Sequence, residues 1–97
     1  MTPSVELMIA RRLLISGLVQ GVGYRYFAQR SAAKHQVKGY VRNLPDGSVE
    51  AFVQGAERNV NEFRDDLAAG PRYSRVDHIE ELVVEPDTAY ATFRIER

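Results

Sequence analysis

Three glycines, at positions 17, 21 and 23, separate the apolar run Leu13-Leu14-Ile15 from a stretch, Tyr24 to Gln36, that has neither glycine nor proline. Glycine at that density weakens helices and strands alike, so the chain must turn here. The run before the glycines reads as a buried strand ending at Gly17. The stretch after them reads as a helix with Phe27, Ser31 and Ala32 on one modest apolar face, ended by Gly39. A strand feeding a glycine loop and then a helix is the opening of an α/β crossover.

The remaining pattern completes a small domain. Residues 37 to 43 form a second strand. Leu44-Pro45-Asp46-Gly47 is a turn, with proline fixing φ and Gly47 free to take a positive one. In residues 48 to 54, Val49, Ala51 and Val53 alternate with Ser48, Glu50 and Phe52, so residues 37 to 54 read as a hairpin with one outward face. Val60, Phe63 and Leu67 recur at helical spacing within residues 56 to 69, and Gly70-Pro71 stops that helix. Residues 76 to 85 and 89 to 96 read as two further strands, and residues 1 to 8 as a loose terminus before a domain at 9 to 97. The order predicts an α+β fold: a ferredoxin-like βαββαβ sandwich plus a C-terminal edge strand, with two helices on one face of a mostly antiparallel sheet.

Composition narrows the function. The 97 residues carry thirteen basic and thirteen acidic side chains, so no overall field favours nucleic acid or an anionic membrane. Cysteine is absent, which excludes thiolate catalysis, disulfides and cysteine-ligated metal, and points to the reducing cytoplasm. No segment has the length of a membrane span or the form of a signal peptide. The chain is expected to be a monomer, although its edge strands offer pairing groups.

A right-handed crossover places the carboxyl ends of the first and second strands at one sheet edge, with the third strand between them. The glycine loop leaves the first strand there, and Asn43 ends the second. Gly21 and Gly23 permit a chain path that turns successive N–H groups inward as an anion nest, and the following helix adds its unpaired first-turn amides. Arg25, in that first turn, opposes the helix dipole unless an anion lies beside it. The alternative is a loop needing only tight geometry, with Arg25 in solvent. The spacing matches neither the P-loop nor the dinucleotide pattern.

Gly17-Leu18-Val19-Gln20-Gly21-Val22-Gly23-Tyr24-Arg25 resembles the acylphosphatase signature. Gly39-Tyr40-Val41-Arg42-Asn43, with Asp46-Gly47-Ser48-Val49-Glu50, resembles that family's second block. The resemblance covers roughly residues 10 to 97. It implies hydrolysis of acyl phosphates to a carboxylate and inorganic phosphate, with no metal or cofactor. It further implies that Arg25 and the backbone amides of Gln20, Gly21, Val22, Gly23, Tyr24 and Arg25 bind the phosphoryl group, that phosphate or sulfate binds as a product-like ligand, and that Asn43 orients the attacking water. The family also includes domains of larger carbamoyl-transfer proteins, and a free-standing enzyme is the simpler expectation here.

Other residues carry blander readings. His35 and His78 are too far apart for a metal site or a triad. Ser16 and Ser48 lack a neighbouring base. Asp46 reads as a turn former, and Glu57, Glu62, Asp65 and Asp66 as the solvated face of the second helix. Arg11 and Arg12 read as surface residues. Tyr24, Tyr26 and Phe27 are candidates for an acyl pocket, but the stronger reading puts Phe27 in the core and a tyrosine beside the loop. The rival function is an RNA- or ligand-binding module with Tyr40 and Phe52 as sheet aromatics, but no net positive charge or RNA-binding motif accompanies them.

Overall fold

Apolar alternation on the strands and a three-to-four-residue repeat on the second helix build two layers. The computed structural model describes residues 7–97. Its elements are β1 (Met8–Leu18), α1 (Tyr24–His35), β2 (Lys38–Asn43), β3 (Val49–Ala56), α2 (Glu57–Ala69), β4 (Arg75–Val84) and β5 (Phe93–Glu96). The sheet order is β4-β1-β3-β2-β5. β3 lies between β1 and β2, as the crossover requires. Every pairing is antiparallel except β2 with β5, which runs parallel from Gly39↔Phe93 to Arg42↔Glu96. The fold is the ferredoxin-like sandwich, and β5 is its added edge.

Both helices cover one face of this sheet. Leu13, Ile15, Val41, Val49, Ala51 and Val53 meet Tyr24, Ala28 and Ala32 of α1 and Val60, Phe63 and Leu67 of α2, all of them buried. Each large apolar side chain removed from water in this way contributes roughly 1.5–3 kcal/mol. The α2 periodicity is therefore as read. The α1 face is rotated from the expected one: Tyr24, Ala28, Ser31 and Ala32 are buried, whereas Phe27 only packs against the rim of the core.

Several boundaries differ from expectation for physical reasons. β1 reaches back to Met8, because β3 pairs with it from Met8 to Ile15, while β4 pairs with it from Ala10 to Leu18. The expected loose terminus falls mostly outside the described residues; of its last two, Leu7 is exposed and Met8 opens β1. Helix α1 stops at Gln36, which takes φ 56, while Val37 N–H bonds the Ala32 carbonyl at 3.0 Å. Gly39 lies inside β2 instead of capping the helix. β5 is shorter than expected, because the chain turns at Asp87, whose carbonyl accepts from Tyr90 N–H at 3.2 Å.

The face of β3 turned away from the helices is closed as well. Glu50, Phe52 and Gln54 alternate with the core residues, yet all are buried; Glu50 is 2% exposed. Arg12 Nε and Arg42 Nε donate to the two Glu50 oxygens at 2.7 and 2.6 Å, and Tyr40 Oη donates at 2.9 Å. Tyr40 stacks on Phe52 at 5.9 Å, and Tyr90 covers both rings at 5.7 and 5.4 Å. Gln54 Nε2 donates to the Asp87 carbonyl at 2.8 Å and its Oε1 accepts from Asp87 N–H at 2.7 Å. Tyr40 and Phe52 thus stack on each other under Tyr90, an arrangement unlike a base-stacking platform.

The second helix also corrects a reading. Asp66 and Glu62 do not simply face solvent. Ser31 Oγ donates to Asp66 at 2.8 Å, and the His35 ring lies 2.9 Å from Asp66 and 3.2 Å from Glu62, joining the C-terminal turns of α1 to α2. Burial pushes the Asp66 carboxyl up, but hydrogen bonds from Ser31 and His35 outweigh it and hold the group below its usual range.

Glu50 follows the same logic. Burial pushes its carboxyl up, and the hydrogen bonds from Tyr40, Arg12 and Arg42 bring it below the ordinary value of 4.5. A depressed folded-state value contributes stability that is complete above the unfolded value and is lost as pH falls through the folded one. Glu50→Gln should therefore lower the urea-unfolding free energy at pH 7 by about 1–3 kcal/mol. The gap from the parent protein should shrink as pH falls below the ordinary carboxylate range; a gap unchanged down to the acid unfolding of the parent would contradict this assignment.

Candidate active site

The main chain between β1 and α1 supplies the site's donors. Gly21 and Gly23 both adopt φ 75, a left-handed conformation that costs other residues about 1–2 kcal/mol. Gly23 is the N-cap of α1 and uses no side chain for capping. The first helical bond is Phe27 N–H to the Gly23 carbonyl, at 3.0 Å. Among the described residues, the N–H groups from Gln20 to Tyr26 have no hydrogen-bond acceptor. Unpaired first-turn amides at the positive end of a helix dipole favour an anion.

Side chains frame these amides. The Tyr24 ring is buried, and its hydroxyl donates to the Leu67 carbonyl at 2.6 Å, pinning the first turn of α1 to the end of α2. Burial pushes its phenol far up, so Tyr24 cannot exchange a proton near neutral pH. Arg25 Nη1 donates to the main-chain carbonyl of Glu96 at 3.2 Å. Among the described residues its guanidinium has no carboxylate partner, and Arg25 is among the residues that line the cavity. Asn43 ends β2 on the helix-covered face, opposite Val49. Its Oδ1 is buried and has no hydrogen-bond partner among the described residues, which is costly unless something in the cavity donates to it.

These groups surround one cavity of about 280 Å³, lined by Val19, Gly21, Gly23, Tyr24, Arg25, Tyr26, Asn43 and Ile95. The structure thus brings together Gly21, Gly23, Tyr24, Arg25 and Asn43. It does not place Gln20 or Val22 on the lining. Val22 packs against the core, and the Gln20 side chain turns away to the β2–β3 turn. Tyr26 is the tyrosine beside the loop, 63% exposed. Ile95 and the Glu96 carbonyl were not foreseen. The Phe93/Ile95 alternation marks Ile95 as inward-facing, but a main-chain carbonyl has no signature in sequence.

The weaker candidates take structural roles. Asp46 Oδ1 accepts from Ser48 N–H at 2.9 Å, and its bonds to Ser48 hold its carboxyl below the usual range, as befits a turn former. Arg11 pairs with Glu81 at 3.3 Å and Arg12 with Glu50. His78 is exposed on β4. Among the described residues no helix is long and apolar enough to cross a membrane.

A ferredoxin-like sandwich with free amides, one arginine and one unpaired amide oxygen at a strand edge defines a small anion-handling domain. Comparisons with known proteins make the class specific. The acylphosphatase family model matches residues 11–95. Acylphosphatase of Solibacter usitatus is 48% identical over 86 residues, covering 89% of this chain and 88% of its own. Acylphosphatase of Moorella thermoacetica is 43% identical over 88 residues, covering 91% and 94%. The crystal structure of acylphosphatase from Bacillus subtilis superposes with a TM-score of 0.88 at 32% identity, covering 92% of this chain and 99% of that one. The chain therefore belongs to the acylphosphatase family, and its class of reaction is the hydrolysis of acyl phosphates.

An added Cβ at Gly23 meets nothing within 4 Å, so strain alone opposes substitution there. Gly23→Ala should cost about 1 kcal/mol in thermal or urea unfolding, and Gly23→Asn less, since asparagine tolerates the left-handed region better. Equal losses in the two variants would show that backbone conformation is not what this position requires.

Proposed function

We propose that the amides of Gln20 through Arg25 cradle the phosphoryl oxygens of an acyl phosphate, that the Arg25 guanidinium binds the same group from the side, and that Asn43 holds the attacking water. The water oxygen bonds to phosphorus as the bond to the acyl oxygen breaks. The electron pair leaves with the carboxylate, and the water's proton passes to phosphate or solvent. The observation that carries this reading is the convergence of unpaired main-chain donors, Arg25 and the orphaned Asn43 oxygen on one cavity.

The reaction suits so plain a site. The leaving carboxylate has a conjugate acid of pKa about 4, so it departs without a general acid. Phosphoryl transfer depends mainly on positioning and on neutralising charge at the equatorial oxygens, which fixed N–H groups and an arginine supply. Asn43 has no useful basicity. Its Oδ1 can accept one hydrogen of a water and so align the oxygen lone pair with phosphorus, an orientation role. In this reading residues 9–97 form the catalytic domain, and turnover runs on the chain's own groups.

Phosphate release from benzoyl phosphate should persist in excess chelator. Arg25→Ala should lower kcat by about a hundredfold or more and raise the inhibition constant of inorganic phosphate. Asn43→Ala should lower kcat by about a hundredfold while changing that constant less than about threefold. Parallel loss of phosphate affinity in both variants would refute the division of roles.

A further inference from the structure

Gln20 sits between two residues that line the cavity, Val19 and Gly21, but its side chain turns elsewhere. Nε2 donates one hydrogen to the Leu44 carbonyl and the other to the Ser48 carbonyl, both at 2.8 Å. These carbonyls flank the β2–β3 turn that begins immediately after Asn43. Only the NH₂ side of the carboxamide fits two acceptors, which fixes its orientation. Each carbonyl already accepts a main-chain bond that closes the turn: Gly47 N–H to Leu44 at 3.2 Å and Leu44 N–H to Ser48 at 2.9 Å. The hairpin is therefore complete without Gln20. The two extra bonds use the second lone pair of each oxygen and join the hairpin end to the glycine loop.

We propose that the Gln20 side chain is a positioning residue that sets the distance between the phosphoryl cradle and Asn43. The inference rests on the role given to Asn43 above. The cradle hangs from the end of β1, and Asn43 from the end of β2. These strands are not neighbours, since β3 lies between them. Beyond the sheet, the Gln20 carboxamide spans from the loop to the turn. Water alignment is sensitive to this spacing, because a displacement of about 1 Å can cost a hundredfold in rate. Phosphate binding, which needs only the loop and Arg25, is not.

Gln20→Met keeps the length of the side chain and removes both donors. It should lower kcat for benzoyl phosphate by about tenfold to a hundredfold, with the inhibition constant of inorganic phosphate changed less than about threefold. Gln20→Asn, with donors too short to reach, should behave alike. Thermal melting confirms folding in each, and if one variant fails to fold the other decides. Unchanged kcat overturns the proposal, as does phosphate affinity falling in step with kcat, which would mark a cradle defect; failure of both variants to fold overturns it too, by making Gln20 a folding residue. Asn43→Ala assayed alongside separates the two readings. If it retains full activity, the Asn43 role fails; if it is impaired while Gln20→Met is normal, only the positioning role fails.

Discussion

The site rests on one local constraint: a left-handed turn at Gly21 and Gly23 that leaves the amides entering α1 without acceptors. Unpaired main-chain donors are costly to bury and cheap to leave where an anion or water can reach them. The surrounding fold keeps them aligned. The Tyr24 hydroxyl on the Leu67 carbonyl locks the first turn of α1 to the second helix. The buried apolar contacts of Ala28 and Ala32 hold the rest of α1 against the sheet. A donor array held in this way needs little rearrangement to receive an anion.

The opposite face of the sheet explains how so short a chain keeps both surfaces ordered. One face is closed by the helices. The other has no helix, and its central strand would expose Phe52 and Gln54 to water. Tyr90, the Asp87 main chain and the arginines around Glu50 cover it instead. Arg42 takes part in that network, and the next residue is Asn43, whose side chain points to the other face. The ion-pair cluster thus steadies the strand end from which the Asn43 amide projects.

Much of this was legible from residue order. The Leu13–Ile15 run, the Pro45-Asp46-Gly47 turn and the Val60/Phe63/Leu67 repeat each carry a strong local signal, and each lies where that signal puts it. The Gly21–Arg25 segment and Asn43 could be placed at one sheet edge from topology alone. What stayed hidden depends on partners distant in sequence. Nothing beside Glu50 along the strand announces its burial; the bonds from Tyr40, Arg42 and Arg12, the last 38 residues away, make it tolerable. The α1 face was misjudged because alanine gives a weak apolar signal, and the helix end because Gln36 takes a conformation more usual for glycine. The Glu96 carbonyl under Arg25 could not be read at all, since every residue type offers the same group.

β5 is a four-residue edge strand held to the sheet through β2 alone, yet its Glu96 carbonyl receives the Arg25 guanidinium and its Ile95 walls the cavity. The cavity is therefore walled in part by an edge strand with a single neighbour in the sheet. Fraying there would free the arginine to wander while the four central strands and both helices remained intact. Order at the cavity wall and global foldedness are thus separable quantities in this molecule, since an edge strand can open locally at lower free-energy cost than the whole fold.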